Sequence, residues 1–225
     1  MPGRAQCSLD IFEMTYREQE ARWFGMRGNI NYRRLIKGKM TNNDEVRLDV
    51  VSGMLNDDPD LGDFILCEDI SSTTTVGGII AKIQQYQPDA VFIDGVYLMD
   101  DENGESKGSS QAITNITRSL KRTAQTFEIP IICTTQTLYS KMRSGVKVSP
   151  ASVGYSSSYA QDADTLIGLE AEELDGITTH RLKVLLSRSG PMTQVELDFD
   201  WSKSIITEIG FYGGFDDDEI EGRDD

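Results

Sequence analysis

The sequence is poor in the residues that build metal-based or covalent chemistry. It has one histidine, His180, so no His-rich metal site can be assembled. Beside Thr178 and Thr179, that histidine reads as part of a surface turn. The three cysteines, Cys7, Cys67 and Cys133, are odd in number, far apart and never in a CxxC pair. That excludes a disulfide framework and a thiolate zinc site. Each stands in or beside an apolar run, and burial as a small hydrophobe is the expectation. No apolar stretch approaches the roughly 20 residues that a bilayer-spanning helix needs, and the N-terminus carries no apolar leader region. No membrane contact is expected, and the chain reads as cytoplasmic. Basic charge is scarce too: 22 Lys and Arg stand against 37 Asp and Glu, a net charge of −15. That balance excludes a protein that coats nucleic acid through its whole surface. It still allows one that holds nucleic acid in a narrow basic channel.

What is present suits a single large globular domain. The 225 residues are 38% hydrophobic and 26% charged. Part of the acid excess is local: Asp216-Asp217-Asp218-Glu219, Glu221, Asp224 and Asp225 stand against Arg223 alone. We divide the chain into a domain over 1–210 and an acidic, disordered tail over 211–225.

Short apolar runs alternate with longer helical patterns. Leu9–Phe12, Phe64–Cys67, Ala90–Ile93 and Ile131–Thr134 read as strands. Helical patterns run over Tyr16–Met26, opened by a Thr15/Glu18 capping box, over Asp44–Leu55, from Thr75 through Ile79, Ile83 and Tyr86, and over Gln111–Glu128. Serine and glycine dominate 140–158, which reads as loop. Thr165–Leu169, Arg181–Leu186, Thr193–Phe199 and Ser204–Ile209 then follow as strands with no helix between them. Non-alternating apolar strands separated by helices imply a mostly parallel sheet flanked by helices. The last strands alternate and read as antiparallel edge strands. The fold class is α/β, in which ligands bind at the carboxyl ends of the strands.

Three of those strand ends carry polar residues of one theme. Glu13 follows the first, Asp94 ends the third, and Thr134-Thr135-Gln136 follows the fourth. An acid after a hydrophobic strand is what holding Mg²⁺ beside a triphosphate requires. A second carboxylate on a neighbouring strand can polarise a water for in-line attack. A glutamine amide can register the terminal phosphate, because it both donates and accepts.

The surrounding residues make the pattern specific. Ser8-Leu9-Asp10-Ile11-Phe12-Glu13-Met14-Thr15 is continued by Glu18-Gln19, Arg22, Gly28-Asn29-Ile30, Leu35, Gly38-Lys39 and Thr41. Phe92–Met99, Ser119–Ala124, Ile129–Ile132 with Gln136, Ala160-Gln161-Asp162-Ala163-Asp164 and Arg188-Ser189-Gly190-Pro191 follow in order. From about Ser8 to Ile209 the chain resembles the C-terminal, RecA-like motor domain of DnaB-type hexameric replicative DNA helicases. The resemblance implies ATP and Mg²⁺ as cofactors. It implies Glu13 as the catalytic base, Asp94 as the metal-holding acid, Gln136 as the phosphate sensor and Arg22 near the nucleotide. Arg188 would be a finger reaching the neighbouring subunit's nucleotide, which requires an oligomer, here a homo-hexamer. It also implies translocation on single-stranded DNA with duplex unwinding.

The sequence departs from that family in three places. No GxxxxGK[ST] phosphate loop occurs in it, and Gly77-Gly78 precedes a helix without a lysine in position. Where the family has a lysine two residues before the finger, this chain has Leu186. Where the family's DNA loop reads arginine-glutamate-serine-glycine, this chain has Gly154, Tyr155, Ser156 and Ser157. Backbone amides and hydroxyls at Gly154 and Ser157 can still hold phosphate, Lys141, Arg143 and Lys147 supply charge, and Tyr155 or Tyr159 could stack on a base. The leading expectation is therefore part of a helicase motor whose phosphate loop comes from a missing N-terminal fragment, by a separate gene product or protein splicing. A polymerase, primase or other replisome partner is expected on the acidic tail, and the divergent loop and tail favour a bacteriophage-like source. The alternatives are a non-catalytic RecA-like assembly and DNA-binding module, or a recombinase or circadian-type ATPase of the same superfamily.

Overall fold

Consecutive apolar residues can be buried on both sides only in a sheet's interior, and the four early runs do form a parallel sheet. In the computed structural model, which describes residues 6–11, 14–57, 62–68, 74–136, 158–174 and 177–212, these are β1 (Gln6–Ile11), β2 (Asp63–Glu68), β3 (Ala90–Asp94) and β4 (Ile131–Cys133). Their order is β2-β1-β3-β4, with every pairing parallel. Parallel neighbours need crossovers, and helices supply them. α1 (Tyr16–Gly28), α2 (Tyr32–Lys37) and α3 (Asn42–Asp57) join β1 to β2. α4 (Val76–Tyr86) joins β2 to β3, and α5 (Ser110–Phe127) joins β3 to β4.

One face of β3 makes the core. Val91 and Ile93 are buried against Ile79 and Ile83 of α4 and Ile113, Ile116 and Leu120 of α5. The alternate residue, Phe92, points to the other face, where it pairs with Ile132; the two are 38% and 42% exposed.

Helix ends are closed by local chemistry. Thr15 and Glu18 cap α1 reciprocally: Glu18 N donates to Thr15 Oγ1 at 3.3 Å, and Thr15 N donates to Glu18 Oε2 at 3.4 Å. Thr15→Ala is expected to cost about 1 kcal/mol, read as a lower urea midpoint with an unchanged slope; an unaltered midpoint would show the cap to be idle. A second reciprocal pair, missed by sequence reasoning, opens α3. Thr41 N donates to Asp44 Oδ2 at 2.9 Å and Asp44 N donates to Thr41 Oγ1 at 3.2 Å. These bonds, with Arg34 at 3.1 Å, hold the Asp44 carboxyl below its ordinary pKa. The short α2 was also missed. Its marks are punctuation rather than periodicity: Asn31 caps its start, accepting from Arg33 N at 3.0 Å, and Gly38 ends it at φ 62°.

After α6 (Ser158–Asp162) come β5 (Thr165–Leu174), β6 (Ile177–Ser187), β7 (Gln194–Asp200) and β8 (Ile205–Tyr212). They form an antiparallel sheet in the order β5-β6-β7-β8. Among the described residues these strands pair only with one another, and they are the antiparallel strands expected at the C-terminal end. β8 runs to Tyr212, two residues into the expected tail, and 213–225 lie outside the described residues.

Three expectations need correction. His180 is in β6, not in a turn; its ring lies 4.4 Å from that of Phe199 and 5.7 Å from that of Trp201. Cys7 and Cys67 are half-buried, and Cys133 is exposed rather than buried, because β4 is a terminal strand. Tyr159, offered as a base-stacking residue, is 7% exposed and packs in the core. Among the described residues no helix is long and apolar enough to cross a membrane.

Candidate functional site

The parallel sheet brings two of the expected polar residues to one crest. β3 ends at Asp94, and Gly95 turns the chain at φ 98°, a conformation that costs glycine least. A 3₁₀ turn over Val96–Leu98 follows and presents Tyr97. Thr134, immediately after β4, closes the crest. Its backbone N donates to Ile93 O at 3.0 Å, and its carbonyl accepts from Val96 N at 3.1 Å. Its hydroxyl accepts from Gly95 N at 3.0 Å and donates to Asp94 Oδ1 at 2.7 Å. One side chain thus orients the carboxylate and pins the turn beside it. Two residues on, Gln136 Nε2 donates to Tyr97 OH at 2.7 Å. Between them, Thr135 Oγ1 is buried with no hydrogen-bond partner among the described residues.

Sequence reasoning gave roles to Asp94 and Gln136 but none to Thr134. The available sign was a hydroxyl directly after an apolar strand. Ile11 of β1 stands opposite Asp94 in register. Glu13, two residues further along the chain, lies outside the described residues, as do Lys141, Arg143, Lys147, Gly154, Tyr155 and Ser157. Arg22 is exposed on α1, its guanidinium 5.3 Å from the Tyr32 ring centre, with Arg33 at 5.9 Å from the same ring.

Arg188 belongs to a different network. Its Nη2 donates to the Gln161 carbonyl and its backbone N donates to the Asp164 carbonyl at 3.0 Å. Asp162 accepts from Thr117 Oγ1 at 2.6 Å, and Asp164 pairs with Lys121, both partners on α5. The glutamine-aspartate-alanine-aspartate block is therefore a joint between α5 and the start of β5, and it carries Arg188.

Hard oxygen donors, one carboxylate among them, suit Mg²⁺, and the buried Thr135 hydroxyl and the Gln136 amide suit a phosphate. The residues present thus fit the metal and terminal-phosphate end of a nucleotide. They do not fit a phosphate cradle. At Gly77-Gly78 the start of α4 is already filled: Gly77 N donates to Glu102 Oε1 at 3.0 Å, and Thr75 Oγ1 caps Gly78 N at 3.2 Å. Among the described residues no cluster of three or more metal-ligating side chains occurs.

A parallel sheet flanked by helices, with an antiparallel sheet after it, is a RecA-like fold. Two solved structures share it at a TM-score of 0.79 and 19% identity over 92% of this chain: one described as an ATPase domain, of which 75% is covered, and a DnaB-like replicative helicase described with its interactions with primase, of which 52% is covered. Residues 4–207 match the DnaB-like helicase C terminal domain family, and the chain belongs to that family. It is 26% identical over 211 residues to the replicative DNA helicase DnaB of Geobacillus stearothermophilus, a match covering 88% of this chain and 45% of that protein. The chain therefore spans less than half the length of this relative.

Proposed function

We propose that this chain is the larger part of the motor domain of a replicative helicase, coupling ATP hydrolysis to movement along single-stranded DNA and duplex unwinding. The observation that carries the reading is the Asp94–Thr134–Gly95 lock beside Gln136. Asp94 holds Mg²⁺ in this reading, Gln136 registers the terminal phosphate, and Glu13 orients the attacking water. Arg22 lies near the nucleotide. Mg²⁺-ATP, when bound, supplies the phosphoryl transfer. The phosphate cradle comes from peptide outside residues 1–225.

The assembly is a homo-hexamer in which Arg188 serves the neighbouring subunit. Single-stranded DNA meets Lys141, Arg143 and Lys147 with Gly154, Tyr155 and Ser157, and the acidic tail takes a primase or polymerase. The alternative reading is a RecA-like module that assembles and binds DNA without hydrolysing ATP.

ATP turnover and strand separation, measured for the chain joined to a phosphate-loop segment, separate the two. Asp94→Asn should abolish turnover. Thr134→Val, which frees the carboxylate without removing it, should raise the Mg²⁺ concentration needed by about 10–100-fold. An assembly that never turns over ATP selects the non-catalytic module, and a Thr134→Val motor with normal Mg²⁺ dependence removes the role given to the lock.

A further inference from the structure

We propose that Lys121 is a positioning residue for Arg188. By holding the Asp164 carboxylate, it keeps that carboxylate from drawing Arg188 back onto its own subunit, and so leaves the guanidinium able to reach outward. The partition of charges stands on contacts within this chain; its consequence for ATP turnover rests on the motor reading.

The backbone places Arg188 and Asp164 side by side. Thr165 and Ser187 are register partners of β5 and β6, so Asp164 and Arg188 are the next pair beyond them. Arg188 N donates to Asp164 O at 3.0 Å, which fixes that register. Side chains directly opposite across antiparallel strands share a face, with Cβ atoms about 5 Å apart, and opposite charges there attract. A guanidinium and a carboxylate so placed are set up for a bidentate ion pair.

That pair does not form. Arg188 Nη2 donates instead to the Gln161 carbonyl, a neutral acceptor, and among the described residues no carboxylate meets its guanidinium. Asp164 pairs with Lys121. The other acid of the block, Asp162, accepts from Thr117 Oγ1 at 2.6 Å. Thr117 and Lys121 stand one turn apart on α5, so a single helix face occupies both carboxylates. Arg188 is thus carried by an acidic block without being captured by it.

The distinction matters for a side chain that must leave its own subunit. One bond to a neutral carbonyl is given up more readily than a bidentate pair with a carboxylate. With Lys121 gone, the cation across the ladder from Asp164 is Arg188. The Asp164 side chain is 66% exposed, and an ion pair in such a place shifts an equilibrium by about fivefold at most. Loss of Lys121 therefore withdraws the guanidinium in part and does not remove it.

The test compares Lys121→Met, Asp164→Asn, the two together, and Lys121→Arg. Methionine keeps an apolar stem without the charge. In residues 1–225 alone, the Arg188 Nε–H signal is followed by ¹⁵N NMR and its exchange with water is timed. Lys121→Met should slow that exchange by about fivefold. Adding Asp164→Asn should restore the parent rate, and Lys121→Arg, which still holds Asp164, should keep it. In the assembled motor, kcat should follow the same order: about fivefold lower for Lys121→Met with KM for ATP unchanged, and close to the parent for the other three. A merely structural bridge predicts otherwise, because removing Asp164 as well cannot rebuild it. A double variant no better than Lys121→Met therefore overturns the proposal. Unaltered Arg188 exchange in Lys121→Met overturns it too, and so does unaltered turnover in Lys121→Met where Arg188→Ala is inactive. Slowed exchange in an assembly whose turnover is indifferent even to Arg188→Ala keeps the charge partition and removes the role of Arg188 in the motor reading.

Discussion

Replacing Arg188 with alanine is expected to lower ATP turnover of the assembled motor by on the order of 10³-fold and to leave the fold intact. Arg188 is exposed, and its side chain donates to a backbone carbonyl, that of Gln161. Losing one solvated bond of this kind costs at most about 1 kcal/mol. In the proposed role, by contrast, a permanently charged planar fork would bridge transferring phosphoryl oxygens, and no other residue type reproduces it. Arg188→Lys should therefore recover little.

The role in trans gives a sharper test. A subunit with Asp94→Asn still offers its Arg188, and a subunit with Arg188→Ala still offers its Asp94. Each variant alone should be inactive, whereas a mixture should regain turnover at those interfaces where an intact Arg188 meets an intact Asp94. Full activity of the alanine variant, or a mixture as dead as its components, would discard the role.

The second large effect concerns stability. Lys183 and Glu170, on adjacent antiparallel strands, pair at 2.7 Å with side chains 8% and 14% exposed. Gly168, which stands opposite Lys183 in register, adds no side chain to that face. Lys183→Met removes the ammonium from a carboxylate that has little water to turn to, and it should cost about 3 kcal/mol. The double replacement Lys183→Met with Glu170→Leu should return close to the parent, because neither charge then needs solvation. Urea midpoints of the four proteins decide it; equal losses in the single and double variants would mean that packing, not charge, holds this part of the sheet.

The sequence announces the strands and helices because their signals are local. Thr15 and Glu18 specify a helix start within four residues, and Ala90–Asp94 shows a buried strand ending in an acid. What it hides depends on which backbone edge meets which. The antiparallel character of the last strands is legible because they alternate, whereas their pairing order β5-β6-β7-β8 is not. Side-chain destinations are hidden for the same reason. Tyr159 sits among serines and reads as loop, yet it fills the core beside α5. Thr134 reads as a strand end, yet its hydroxyl orients the Asp94 carboxylate. Asp162 and Asp164 are conspicuous as a motif, but only the fold reveals that they fasten a helix to the strand pair bearing Arg188.

One contact made far from the crest ties the antiparallel sheet to the first helical layer. Gly25 of α1 lies so close to its surroundings that a Cβ there would meet Tyr32 Cβ at 2.9 Å and Lys203 O at 3.4 Å, and Tyr32 N donates to Ser202 O at 3.0 Å. The antiparallel sheet is thus gripped at its β7–β8 turn by the first helical layer, as well as at its other end by α5. With two separated anchor points it cannot swing as a hinged flap. Any side chain at position 25 would loosen one of these anchors and let the far end of the antiparallel sheet shift against α1.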